Sequence, residues 1–198
     1  MTHTNTREDG FEQLIERALV GSTIEERRNQ GIPLIAEFAD RQTPGDKFYW
    51  GLPNDFKKDV AVDSRRLWSF LEATQRNLLD EWRGRGDMRE RIEKELKRKI
   101  ETVGSLEVLR KGLEVDNLQG DKRLRLFYPR PSQADSDESH ILYGMNQFSV
   151  TRQATYSKLR PGNELDMVIY VNGLPIFTFE LKNPWTGQTA KYDAIKQY

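Results

Sequence analysis

An aspartate at 166, a glutamate at 180 and a lysine at 182 flank two apolar runs, Met167 to Val171 and Ile176 to Leu181, which are joined through Asn172-Gly173. Asn-Gly tolerates the positive φ angles of a tight turn, so the stretch reads as one β-hairpin with its three charges at the open end. Two carboxylates converging beside a lysine suit a hard divalent cation, which takes oxygen ligands and keeps waters that a phosphate group can displace. Magnesium is the expected ion. Such an ion polarises a phosphoryl oxygen and acidifies a water, while Lys182 would orient or deprotonate the nucleophile. For an arbitrary Glu-x-Lys the plainer reading is a solvated salt bridge at a strand end, because exposed pairs are common and weakly stabilising. The hairpin sets this instance apart.

Side chains alternate across a strand, which puts Glu180 and Lys182 on one face with Ile176 and Thr178, and Phe177, Phe179 and Leu181 on the other. Whether Asp166 joins the first face depends on register, since a slip of one residue reverses a whole strand. A two-residue loop, Asn172-Gly173, would pair Asp166 with Phe179 and split the charges. A three-residue loop, Asn172 to Leu174, pairs Asp166 with Glu180 and sets Met167, Ile169 and Val171 beside Phe177, Phe179 and Leu181. Core and chemistry then favour the same register, and the three-residue loop is the predicted one.

Other elements must hold that hairpin. Phe11, Leu14, Ile15, Ala18 and Leu19 recur at helical spacing after acidic Glu8 and Asp9, predicting an amphipathic helix with Glu12 and Glu16 beside an inward apolar stripe. From Thr23 to Asp63, glycine and proline punctuation predicts loops and a short helix, with Phe48-Tyr49-Trp50 better suited to anchoring a core than to stacking on bases. Helix resumes at Asp63 or Ser64, a good cap, and its stripe runs through Leu67, Phe70, Leu71, Leu78 and Trp82 with Thr74 in the middle. A charged helix follows over Met88 to Glu101, and a short one over Ser105 to Gly112. Together they make a helical insertion over about 64–112, followed by the sheet and its hairpin over about 122–182. Lys122 to Arg130 alternates Leu124, Leu126 and Tyr128 with Arg123, Arg125 and Phe127, predicting a strand with one basic face. Pro131 to His140 reads as a polar loop, and Asn146 to Ser157 as a strand carrying Arg152, suited either to a phosphate near the cleft or to a core carboxylate. After the hairpin, Asn183-Pro184 stops the second strand and Thr189 caps a final helix.

The chain of 198 residues is long enough for one domain with a real core. Basic and acidic residues number 31 each, so net charge gives no sign of a polyanion partner and distribution must carry that argument. Cysteine is absent and the histidines are 2, His3 and His140, which removes disulfides and thiolate sites and makes zinc a poor fit. No apolar run approaches the roughly 18 residues that span a bilayer, and Met1 to Gly10 lacks the blocks of a signal peptide. A cytoplasmic protein with no membrane partner is expected.

Asp166, the thirteen residues after it and Glu180-Leu181-Lys182 resemble the PD-(D/E)xK nuclease motif, with Leu165 where the motif has proline. The flanking text extends the likeness. Arg152-Gln153, Asn172-Gly173-Leu174-Pro175, Asn183-Pro184, Thr186-Gly187-Gln188-Thr189 and Asp193-Ala194-Ile195-Lys196-Gln197-Tyr198 resemble the nuclease region of the R subunit of type I restriction endonucleases. The resemblance implies an α/β, restriction-endonuclease-like domain over 1–198, its mixed β-sheet core flanked by helices, that hydrolyses phosphodiester bonds in double-stranded DNA with magnesium. It implies metal ligation by Asp166, Glu180 and the backbone carbonyl of Leu181, with Glu12 completing the site from the first helix. Lys182 would position the attacking water, and Arg152 would lie near the DNA. Gln197 would orient DNA or the lysine as the glutamine of a Gln-x-x-x-Tyr motif whose tyrosine falls past Tyr198. Gln188 to Tyr192 has the same spacing, but falls on the expected loop and first helical turn. No G-x-x-x-x-G-K-[ST] occurs, so ATP would enter only through a downstream motor, and the chain is expected to be the amino-terminal piece of a larger subunit with methylation and specificity subunits as partners. Two other readings are a catalytically silent module that keeps the fold to dock DNA or subunits, and a stand-alone nuclease such as a junction resolvase.

Overall fold

The computed structural model describes residues 8–32, 48–82, 87–115, 123–156 and 164–181. Helices α1 (Glu8–Val20) and α2 (Ile24–Asn29) come first. Thr23 starts α2 with a reciprocal cap: its hydroxyl accepts from the Glu26 amide at 3.1 Å while the Glu26 carboxylate accepts from the Thr23 amide at 2.8 Å. Then come β1 (Tyr49–Trp50) and a small hairpin of β2 (Phe56–Lys57) and β3 (Val62–Asp63). Four helices follow, α3 (Ser64–Thr74), α4 (Arg76–Trp82), α5 (Met88–Val103) and α6 (Ser105–Lys111), in the span read as helical. Strands β4 (Leu113–Glu114) and β5 (Arg123–Leu124) pair with each other, and α7 (Asp137–Gly144) leads to the long strands β6 (Phe148–Thr155), β7 (Glu164–Val171) and β8 (Leu174–Phe179). The principal sheet has the order β1-β6-β7-β8, with β1 parallel to β6 and the other neighbours antiparallel. The fold is α/β with a mixed sheet, as expected. Among the described residues no helix is long and apolar enough to cross a membrane.

Two of the three core clusters among the described residues join the helices to this sheet. The larger unites Leu67, Phe70, Leu71, Trp82, Ile92 and Leu96 of the helices with Leu124, Leu126, and Val171 and Leu174 at the hairpin turn. The smaller joins Val20 and Ile24 to Trp50, Val150 and Met167, with Ile15, Leu19, Ile169 and Phe179 packed against it. Tyr49 and Trp50 are buried, which makes the aromatic triplet a core anchor; the Trp50 indole donates to the Ser22 carbonyl at 2.9 Å.

Four expectations are corrected. The stripe on α1 does not simply face inward: Phe11 and Leu14 are exposed, whereas Glu12 and Glu16 are buried. The helix read through Thr74 breaks at Gln75, because the Thr74 hydroxyl turns back to the Phe70 carbonyl at 2.8 Å and the Gln75 amide bonds the backbone of Arg125 in both directions, 2.8 Å each way. The strand read over 122–130 forms a ladder only at β5, and beyond it side-chain amides take the place of a neighbouring strand: Asn172 donates to the Leu126 carbonyl at 2.8 Å, and Asn146 bonds both the amide and the carbonyl of Tyr128. Lastly, the polar stretch ending at His140 contains the start of α7, capped by the Ser136 hydroxyl. That helix buries none of its residues, so no apolar stripe announced it.

The turn itself is a site of close approach. Gly173 has φ 84°, and a Cβ there would lie 2.5 Å from the Asp63 carbonyl oxygen and 2.6 Å from the Leu67 amide nitrogen. Gly173→Ala is therefore expected to cost at least about 3 kcal/mol, from a left-handed backbone plus overpacking against backbone atoms, read as a lower midpoint in urea denaturation.

Asp63 gives a second test. It caps α3 by accepting from the Arg66 amide at 3.0 Å, but its other oxygen is buried with no hydrogen-bond partner among the described residues, and burial pushes the carboxyl from 3.8 up to about 6. A carboxyl with a raised folded pKa holds its proton more readily folded than unfolded, so its contribution to stability is full below about pH 4 and is lost as the pH climbs through about 6. Asparagine keeps the cap without the charge. Asp63→Asn should gain up to about 3 kcal/mol over the parent at pH 7 and nothing at pH 4, measured by unfolding at both.

Candidate active site

The hairpin reaches the predicted alignment by another route. Val171 pairs with Leu174 and Tyr170 with Pro175, so the loop is the two-residue Asn172-Gly173 and not the three-residue loop. Asn172 at φ 49° and Gly173 at φ 84° supply the two left-handed positions such a turn needs. A bulge between Ile169 and Tyr170 then shifts the register: Ile169 pairs with Phe177, Val168 with Thr178 and Met167 with Phe179, and Ile176 is the extra residue. The ladder ends at the Met167–Phe179 pair, with Asp166 the next residue along β7 and Glu180 the first residue past β8. Both are half-buried, and Oδ2 of Asp166 accepts a hydrogen bond from the backbone amide of Leu181 at 2.5 Å. The oxygen-rich end of the hairpin is thus closed by a contact from Asp166 to the residue after Glu180. Lys182 and Gln197, like Gln188 and Tyr192, lie outside the described residues.

Gln153 enters the sequence pattern only beside Arg152, as part of the longer likeness. It sits between the pairs Arg152–Met167 and Ala154–Leu165, hence across from Asp166, and its φ of 53° is left-handed, a conformation that a non-glycine residue adopts at a cost of about 1–3 kcal/mol. Its side chain is exposed. Composition gives no signal for such strain.

Glu12 and Arg152, proposed separately for the metal and the DNA, are brought to each other. Arg152 donates from Nε to Glu12 and from Nη1 to Glu16 and Glu25, at 3.0 Å in each case. Arg152 pairs with Met167, so it stands on the face opposite to that of its neighbour Asp166. Glu12 is accordingly drawn to the α1 side of the sheet, and among the described residues no group of three or more His, Cys, Asp or Glu is gathered that could hold a metal ion. In the structure Glu12, expected as a third ligand beside Asp166 and Glu180, is paired with Arg152. Burial raises the pKa of Glu16, opposed by its hydrogen bond from Arg152. Three carboxylates around one guanidinium explain why α1 turns Glu12 and Glu16 inward.

Residues 50–198 match the family model described as the type I restriction enzyme R protein N terminus. No curated protein and no solved structure matches the chain. The matched segment contains the hairpin and Arg152 but neither α1 nor α2, so the Arg152 cluster ties the family segment to the helices that precede it.

Because the side chains of Arg152, Glu12 and Glu16 are at most a tenth exposed, removing the cation strands buried carboxylates. Arg152→Met should destabilise the protein by about 3–5 kcal/mol at pH 7. The loss should shrink at pH 5: with the arginine gone, Glu16 loses the contact that lowers its pKa, and protonation relieves the buried charge. Urea unfolding at the two pH values checks both the size and the sign.

Proposed function

The chain belongs to the family of type I restriction enzyme R protein N termini, and from that membership we propose that it is the endonuclease domain of such a protein, hydrolysing phosphodiester bonds of double-stranded DNA with magnesium. The observation that supports the reading is the register of β7 and β8, which ends at Met167–Phe179 with Asp166 and Glu180 as the next residue on each side and the Leu181 amide bonded to Asp166. The donors fit the ion: two half-buried carboxylates and the carbonyl of Leu181 are hard oxygens, and no cysteine is present to favour a softer metal. Asp166, Glu180 and Leu181 would hold magnesium, whose charge polarises a phosphoryl oxygen and lowers the pKa of a bound water.

The rest falls to the chain's own groups. Lys182, next in sequence to Leu181, orients the attacking water or takes its proton as the oxygen bonds to phosphorus and the phosphorus–oxygen bond to the leaving sugar breaks. Gln197 holds the DNA or the lysine in place. Cleavage in the complete R protein would be coupled to ATP-driven translocation and would occur in a complex with methylation and specificity subunits, which supply the choice of sequence.

The test separates chemistry from folding. In the full-length R protein with its partners, Lys182→Met should leave ATP hydrolysis and translocation intact and lower DNA cleavage by a factor on the order of 10² or more. Cleavage at the parental rate would remove Lys182 from the reaction and with it the site assigned to this hairpin.

A further inference from the structure

The basic face read in the sequence around Arg123 and Arg125 has no part in the site above. In the structure Leu124 and Leu126 enter the core and Arg123 and Arg125 point outward. The end of α6 brings Arg110 and Lys111 to them, and the four cations line a cleft of about 650 Å³ whose wall includes Leu109 and Phe127. Close crossing of the two segments shapes it: Gly112 has φ 74°, a Cβ there would meet the Leu124 carbonyl oxygen at 2.4 Å, and Nη1 of Arg123 donates to the Lys111 carbonyl at 3.1 Å. Lys111 is paired with Glu107 at 2.7 Å, and Arg123 with Glu114. Among the described residues neither Arg110 nor Arg125 forms a salt bridge, although Arg110 helps Lys111 hold the pKa of Glu107 down, so two guanidiniums at the cleft are without a close carboxylate partner among those residues.

We propose that this cleft binds the phosphate backbone of duplex DNA, as a contact separate from the cleavage site. The guanidinium fork matches phosphate oxygens in a bidentate manner, and the half-buried ring of Phe127 offers an apolar face to the sugar. Leu109 and Leu126, which line the cleft, share a core with Val171 and Leu174 at the hairpin turn, whereas Asp166 and Glu180 stand at the other end. The length of β8 puts roughly 17 Å between the two ends, half a turn of B-form duplex. The choice of DNA as the polyanion rests on the proposed function. The contact itself needs no catalysis.

Binding of a labelled duplex to the 198-residue chain, measured by fluorescence anisotropy in EDTA across a salt series, reads the cleft without the metal site. Arg110→Glu combined with Arg125→Glu should weaken binding at least about 10-fold and make the salt slope shallower by about 2, one for each phosphate that is no longer neutralised. Arg110→Gln with Arg125→Gln should weaken it in the same direction and serves if charge reversal disturbs the circular dichroism spectrum. Parental affinity and slope in the glutamine pair would overturn the proposal. Displacement of the duplex by millimolar mononucleotide at constant ionic strength would also overturn it, in favour of a nucleotide pocket. Because cleavage is not measured, a failure here is distinct from parental cleavage by Lys182→Met.

Discussion

Beyond the β5 ladder, the side-chain amides of Gln75, Asn172 and Asn146 bond backbone groups of Arg125, Leu126 and Tyr128 in place of a strand. Asn172 is the most constrained of the three. It is fully buried, donates to the Leu126 carbonyl and to the Asn146 side chain, accepts from the Gln147 amide at 2.7 Å, and also carries the first left-handed position of the hairpin turn. A buried polar group left unpaired costs about 1–3 kcal/mol, so this turn can neither slide nor open without breaking several such hydrogen bonds at once. With Gly173 pressed on the start of α3, the place where β7 reverses into β8 is fixed by the core and not by the loop alone. The register of β8 is set from that point together with the bulge that follows it.

How the register arrives at Asp166 shows what a sequence can and cannot disclose. Alternation in Met167 to Val171 and Ile176 to Leu181 makes the hairpin legible, and the apolar faces require Asp166 to meet Glu180. A three-residue loop satisfies that requirement; so does a two-residue loop followed by a bulge. The two differ only in where the extra residue sits, at Leu174 or at Ile176, and no local pattern distinguishes them. The packing that does is the burial of Leu174 against the helices, a contact from distant parts of the chain. The helices over 64–111 are legible because their apolar residues repeat at helical spacing, whereas α7 buries nothing and leaves no such trace.

The first helix departs from its pattern for a related reason. Hydrophobic spacing alone would hide Phe11 and Leu14 and expose Glu12 and Glu16. Arg152 reverses the preference, because a buried guanidinium carries its own demand for carboxylates, and Glu12 and Glu16 are the residues one helical turn apart that can meet it. The partners lie far apart in sequence, beyond the reach of any window. The same arrangement holds Glu12 on the α1 side of the sheet, on the face opposite to that of Asp166.

The hairpin is therefore unequal along its length. Leu174 is fully buried at the turn, Phe177 is 60% exposed midway, and Glu180 and Leu181 are half-buried at the open end. Burial is concentrated at the turn, at the opposite end from Asp166. At the open end Asp166 is steadied by one short contact to the Leu181 amide, which fixes one carboxylate oxygen. The alignment of this end comes from the strand pairing behind it, which runs to Met167 and Phe179. Asp166 and Glu180 at that end are each only half-buried.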